Sequence, residues 1–265
     1  MKSYYRRLTG TGAVLFWLLV WQLAYLAVGK SYLLVSPLDT AARLFELAGG
    51  ALFWRSVFAT CLRVLAGFFL AILSGAALAA LAARFWFVRV VFAPVLGVIR
   101  ATPVASFIIL ALIWMSAGRL PVFIAYIMVL PLAYSNLTSG LAAIDRQLLE
   151  MAKLFRFSRR KTARLIFIPG LMPHLTAACT AGLGFAWKSV VAAEVIAHPA
   201  FSVGRRIYDA KIYLETADLF AWTIAVIMLS VAIERGAVAG LGALGRVMMK
   251  AGRKPAPGGD CRHAN

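Results

Sequence analysis

Few residues in this chain could do chemistry, and those inside its apolar stretches need a physical reason to be there. Lys188 lies between apolar residues, where a charge inside a membrane helix costs at least about 2.5–3.5 kcal/mol on insertion scales. Two arrangements would meet that cost. Lys188 could face a polar cavity and help pass an anionic solute, together with Arg100 just ahead of the helix-disrupting Pro103, or it could form a structural ion pair. Glu194 is an acid in the same stretch. Six residues of helix amount to about 240° of rotation, so Lys188 and Glu194 do not share a face, and pairing either one requires another helix or subunit. Arg100, Lys188 and Glu194 are therefore the candidate residues of a translocation path.

Nucleotide and enzyme chemistry fit less well. Gly182-Leu183-Gly184 with Lys188-Ser189 has the outline of a phosphate loop, but G-x-x-x-x-G-K-[ST] needs glycine directly before the lysine, where Trp187 stands. The segment is also apolar and follows no soluble strand. If ATP powers this protein, another chain must hydrolyse it. His174, His198 and His263 are scattered, none with a second histidine or a carboxylate at i+3 or i+4, and G-x-S-x-G and HExxH do not occur. Cys61, Cys179 and Cys261 include no CxxC pair, so neither a disulfide framework nor a zinc site is suggested. The expectation is a non-enzymatic chain with no metal and no cofactor of its own.

The elements that position these residues follow from composition. Of 265 residues, 62% are hydrophobic and 14% charged, with a mean hydropathy of +0.84, whereas a soluble domain is roughly a quarter charged. The net charge of +18 does not indicate a nucleic-acid partner, because the bases lie between apolar runs instead of on one solvated face. Charge-free runs at 8–29, 64–83, 101–118, 120–144, 165–187 and 219–233 predict about six transmembrane helices, since backbone buried in lipid must satisfy its own hydrogen bonds. The first run is long enough to span a bilayer and is read as structure, not as a cleaved signal.

The bases orient these spans. With the N-terminus cytoplasmic, the inner side holds Lys2, Arg6, Arg7, Arg84, Arg89, the basic run from Arg146 to Arg164 and the bases from Arg235 onward. The outer side holds the smaller set Lys30, Arg43, Arg55, Arg119, Arg205, Arg206 and Lys211, which satisfies the positive-inside bias. Ser36-Pro37 opens a short amphipathic helix on the outer surface, with Leu38, Ala41, Ala42 and Phe45 at helical spacing. Gly236 and Gly240 form a GxxxG suited to helix packing. Residues 1–250 read as a single transmembrane domain and 251–265 as a disordered tail.

The most informative segment is the inner loop 145–169. Its pattern predicts a helix from about Asp145 through Phe155, a turn near Phe157-Ser158, and a second helix ending before Pro169. Such a basic, amphipathic hairpin could dock into a partner's groove or rest against anionic lipid heads. The spacing resembles the coupling motif of bacterial ABC-importer permeases, E-A-A-x3-G-x9-I-x-L-P. Glu150, Ala152, Ile166 and Pro169 fall on its positions, while Met151 replaces Ala, Ile168 replaces Leu, and Arg156 stands in the glycine's place. Arginine in a left-handed turn costs roughly 1–2 kcal/mol.

The resemblance extends over roughly 35–245 and is nearest to the nitrate, sulfonate and taurine branch, through Ser36-Pro37, Arg63-Val64-Leu65-Ala66-Gly67-Phe68, Arg100-Ala101-Thr102-Pro103, Ala192-Ala193-Glu194 and Asp218. It implies an all-α permease fold in a bacterial inner membrane, working as a homodimer or paired pseudo-dimer. It further implies two cytoplasmic ATPase subunits carrying ATP and Mg²⁺ and docking on the coupling loop, and an extracytoplasmic solute-binding protein. The solute would be a small anion. The competing class is an autonomous channel or secondary transporter, against which the coupling loop is the discriminating feature; a membrane-embedded enzyme is the remaining alternative.

Overall fold

The computed structural model describes residues 2–252, and among them there are helices and no strand. In chain order these are α1 (Lys2–Val28), α2 (Pro37–Ala48), α3 (Ala51–Arg84), α4 (Trp86–Ala101), α5 (Val104–Ala111), α6 (Leu120–Ala142), α7 (Arg146–Leu154), α8 (Arg159–Thr162), a π-helical turn (Ala163–Phe167), α9 (Ile168–Ala197), α10 (Val203–Ile212) and α11 (Thr216–Gly252). Among the described residues four helices are long and apolar enough to cross a membrane: Ala51–Arg84, Leu120–Ala142, Arg159–Ala197 and Thr216–Gly240. The pair α4 and α5 makes a fifth if its two halves count as one broken span, and α1 adds the shorter apolar stretch Gly12–Val28.

Three expectations change in form. The run at 101–118 is not one straight span. Thr102 and Pro103 are extended, and α4 and α5 meet there at a bend of 102°; the proline ring disfavours the helical conformation at the residue before it. Arg89 and Arg100 hide α4 from any count of charge-free residues. The second span does not begin at 64 but at Ala51, carrying Arg55 and Arg63 inside α3; Arg63 is neutralised by an acid on another helix, and Arg55 lies 4.1 Å from the ring centre of Phe201. The helix α11 runs through Gly252 and so takes in the start of the tail expected from 251; the rest of that tail lies outside the described residues.

The chain gathers into two compact units, each assembled from separated stretches. The first collects residues up to 67, 103–125 and 187–231. Its core is Phe53, Val57, Val203, Trp222 and Ala225, with Phe53 and Trp222 stacked at 4.8 Å. Trp21 ties α1 in by donating to the Val35 carbonyl at 3.0 Å and stacking on Phe220. The short helix α2 starts as its sequence implies, with the Ser36 hydroxyl accepting from the Asp39 amide at 3.0 Å. Leu38 and Phe45 face away from the protein, 78% and 80% exposed, which suits a helix lying in a membrane interface. Arg43 anchors it to Asp218 on α11 and reaches Glu46 at 2.8 Å; these hydrogen bonds, to Asp218 first, hold the guanidinium pKa above its ordinary value.

The second unit collects 68–102, 126–186 and the chain from 232. Its helices touch through small residues. A Cβ on Gly75 would stand 2.7 Å from the Ala133 Cβ and 3.2 Å from the Tyr134 nitrogen, so α3 and α6 approach through backbone. By contrast Gly236 and Gly240 have nothing within 4 Å of an added Cβ, and the GxxxG mediates no packing among the described residues. Gly75→Leu is expected to cost about 1–3 kcal/mol through overpacking, visible as a lower thermal midpoint in detergent, while Gly97→Ala, which meets open space, is expected to leave the midpoint unchanged or slightly raised.

Candidate functional site

The hairpin at 145–169 is built by local hydrogen bonding. Asp145 caps α7, its carboxylate accepting from the Gln147 amide at 2.8 Å. At the other end the Phe157 amide reaches the Ala152 carbonyl at 2.8 Å and the Arg156 amide reaches Lys153 at 3.0 Å. This is a Schellman motif, whose pivot is normally glycine because it must be left-handed. Here the pivot is Arg156, with φ of 50°. Ser158 then caps α8, and the Lys161 ammonium lies 4.1 Å from the Phe157 ring centre.

The second helix does not end before Pro169. The Ile168 amide bonds back to Ala163 across a π turn, which widens the helix where the proline lacks a donor and its ring would clash; the chain then continues through α9. Within the hairpin, Ala152 and Ile166 point inward, 3% and 8% exposed, whereas Glu150, Met151, Arg156 and Pro169 face out. Leu148, Met151, Leu154 and Phe155 form an apolar stripe along α7, with Leu154 80% exposed.

Glu194 has no exposed surface. It does not stand on an open face; it is the hub of a buried clasp joining α3, α9 and α10. The Thr60 hydroxyl lies 2.9 Å from its Oε2 and itself accepts from the Val203 amide at 3.0 Å. Arg63 Nη1 donates to Glu194 Oε1 at 2.8 Å, and the Gly204 amide donates to Oε2 at 3.1 Å, so the carboxylate satisfies a free N–H in the first turn of α10. Arg63 also donates to the carbonyls of Ala200 and Phe201. These contacts fix the connection between α9 and α10, in which His198 and Phe201 are left-handed, at φ 51° and 47°. Gly204 must be glycine: a Cβ there would lie 2.4 Å from the Glu194 Cβ and 2.7 Å from the Val195 nitrogen.

The two candidate path cations have different surroundings. Arg100, exposed at the end of α4, donates from Nη2 to the Pro131 carbonyl on α6 at 2.8 Å. Lys188 is exposed on α9 and makes no ion pair among the described residues. The structural pair weighed for Lys188 thus belongs instead to Glu194 and Arg63. Thr60 and Arg63 escape a reading of sequence spacing because they lie 134 and 131 residues from Glu194 along the chain, and Gly204, ten residues away, lies across a turn that spacing does not fold back; the available signal is that two opposite charges, at 63 and 194, each sit in apolar surroundings and need a partner.

Glu194→Ala is expected to cost about 3–5 kcal/mol, the effect of removing one member of a buried pair, and a Glu194→Leu, Arg63→Met double variant to recover part of it in a double-mutant cycle of thermal midpoints. Arg156→Gly is expected to gain about 1 kcal/mol by relieving the left-handed turn, read as slower hydrogen exchange at the Phe157 amide; Arg156→Ala, which keeps a Cβ, is expected to give no comparable gain.

The family model described as binding-protein-dependent transport system inner membrane component matches residues 67–234. The taurine transport system permease protein of Escherichia coli is 25% identical over 82% of this chain and 80% of its own length. The riboflavin transport system permease protein of Chloroflexus aurantiacus is 28% identical over 82% of this chain and 84% of its length. The bicarbonate transport system permease protein of Synechocystis is 24% identical over 60% of this chain and 57% of its length. The family match takes in Glu194, Gly204 and the whole hairpin, and it accompanies four or five apolar spans. The chain therefore belongs to the family of binding-protein-dependent inner-membrane transport components, as a multi-pass permease subunit of an ABC importer.

Proposed function

We propose that this permease moves a small anion into the cytoplasm, driven by ATPase subunits that seat on the hairpin 145–169. The observation that carries the docking reading is the apolar stripe Leu148, Met151, Leu154 and Phe155 beside the exposed Glu150. Such a stripe has no reason to face water unless a partner covers it. The surrounding bases, Arg146, Lys153, Arg156, Arg159, Arg160, Lys161 and Arg164, favour an acidic groove on that partner and support a cytoplasmic location for the hairpin and the N-terminus. In this reading Glu150, Met151, Arg156 and Pro169 meet the ATPase, and Ala152 and Ile166 hold the hairpin closed.

ATP and Mg²⁺ belong to the ATPase pair; this chain supplies motion and a path. A second copy completes the translocation unit, and an extracytoplasmic binding protein delivers the solute. The anionic solute is supported by Lys188 and Arg100 on exposed positions and by relatives named for taurine and bicarbonate, each carrying an anionic group. Another relative is named for riboflavin, so solute identity varies among proteins this similar, and the binding protein sets the final choice.

The test is affinity purification from native membranes with an ATP-driven uptake assay in vesicles. Leu154→Asp with Phe155→Asp is expected to insert normally yet retain roughly thirtyfold less ATPase, the effect of losing an interface anchor worth about 2 kcal/mol. Glu150→Ala is expected to keep the ATPase but lose ATP-driven uptake. Full ATPase retention and normal uptake in the stripe variant would overturn the docking assignment.

A further inference from the structure

The end of α9, the connection after it, α10 and the first turn of α11 border a cavity of about 350 Å³, at the compact end of the range for small-molecule sites. Its walls are aliphatic, from Val195 and Ile196 on α9, Ile207 on α10 and Leu219 on α11. Three polar side chains also line it, His198, Tyr208 and Lys211, and among the described residues no acid does. Four of the ten residues of α10 are charged, which suits a helix at an aqueous edge and not one in hydrocarbon.

Two of the polar groups have chemistry that the fold leaves unmet. His198 Nε2 is buried without a hydrogen-bond partner among the described residues, which in a folded protein calls for an explanation. Its imidazole packs edge-on against Tyr208 with ring centres 4.0 Å apart. The left-handed backbone of His198 is held by its amide, which donates to the Glu194 carbonyl at 3.0 Å; strain of this kind collects at ligand clamps. Lys211 is exposed and pairs with no acid among the described residues. The acid on its own helix, Asp209, lies toward Arg205 and Arg206 at 3.7 and 4.0 Å. We propose that this cavity is a subsite for a compact amphiphilic anion free in solution: its short apolar body lies between Val195, Ile196, Ile207 and Leu219, its acidic head meets Lys211, and His198 supplies a hydrogen bond. The volume leaves no room for the paired acyl chains of a phospholipid, each of which crosses roughly half of a hydrocarbon layer about 30 Å thick. The role of the subsite in uptake rests on the permease reading above, in which it holds solute on the outer side; binding itself rests on the cavity alone.

The test uses saturation-transfer NMR on the full chain, affinity-purified with the subunits it retains and placed in phosphatidylcholine discs, with empty discs as the blank. The probes are butanesulfonate and butyltrimethylammonium, which share an apolar body and differ in the sign of the head. Saturation is expected to reach the methyl protons of butanesulfonate and not those of the cation. Lys211→Met is expected to weaken butanesulfonate binding about tenfold or more, as for the loss of one charge-assisted contact, and Lys211→Arg to retain it. Leu219→Trp, which fills the cavity, is expected to abolish binding with the thermal midpoint kept; should that variant unfold, Lys211→Met at its exposed position still decides. Equal transfer to both probes, or unchanged affinity in Lys211→Met, overturns the proposal. So does a phospholipid that stays with the wild-type chain in native mass spectrometry and is lost from Leu219→Trp, since the cavity would then belong to a lipid. ATPase retention and ATP-driven uptake, scored on the same preparations, report on the permease reading: butanesulfonate binding by a chain that retains no ATPase would sink that reading alone, and ATP-driven uptake without probe binding would sink the subsite alone.

Discussion

In a bilayer every backbone polar group must find its partner inside the protein, and every charge must find either an opposite charge or water. This constraint accounts for the helical character of the described chain and for how it treats its irregularities. Where Pro103 removes a donor, the chain bends sharply between α4 and α5. Where Pro169 does the same, a π turn re-routes the Ile168 amide to Ala163 and the helix continues. Glu194 and Arg63 obey the charge half of the rule by pairing across the sequence; Lys188 obeys it only if water reaches it.

The clasp around Glu194 combines three functions in one carboxylate. It neutralises Arg63, it completes the first turn of α10 through Gly204, and with Thr60 it locks the Val203 amide. Buried ion pairs are not intrinsically stabilising relative to apolar packing, so the arrangement is better understood as specifying one geometry. The left-handed residues His198 and Phe201 are conformations that a loosely held connection would abandon, and Arg63 grips the carbonyls of Ala200 and Phe201 at this point.

Much of this was legible in the sequence where the causes are local. Asp145, the turn at Phe157-Ser158 and the Ser36 cap each act within four residues, and α7 and α2 begin where those residues indicate. A glycine at the position of Arg156 would serve either a left-handed turn or a close approach to a partner, and the backbone at Arg156 is left-handed. Long-range causes were not legible. Nothing near Arg63 or Glu194 announces their partnership across 131 residues, and the direction in which Lys188 points depends on packing that no periodicity encodes. Prolines mislead in both directions: Pro94, Pro131 and Pro173 lie inside continuous helices, whereas Pro103 ends one, since neighbouring packing decides whether a lost hydrogen bond bends the chain. Arg89 and Arg100 concealed α4 by interrupting a run that the helix itself ignores.

The arginine pivot of the hairpin also has a kinetic side. A left-handed non-glycine residue costs roughly 1–2 kcal/mol, which corresponds to about a five- to thirtyfold larger population of frayed hairpin ends than a glycine pivot would allow. A partner that grips only the closed hairpin therefore draws on a pre-equilibrium, and its apparent affinity is lowered by the closed fraction. The loop at Arg156 would then act as a reporter of engagement: restless when the subunit stands alone, quiet once its apolar stripe is covered.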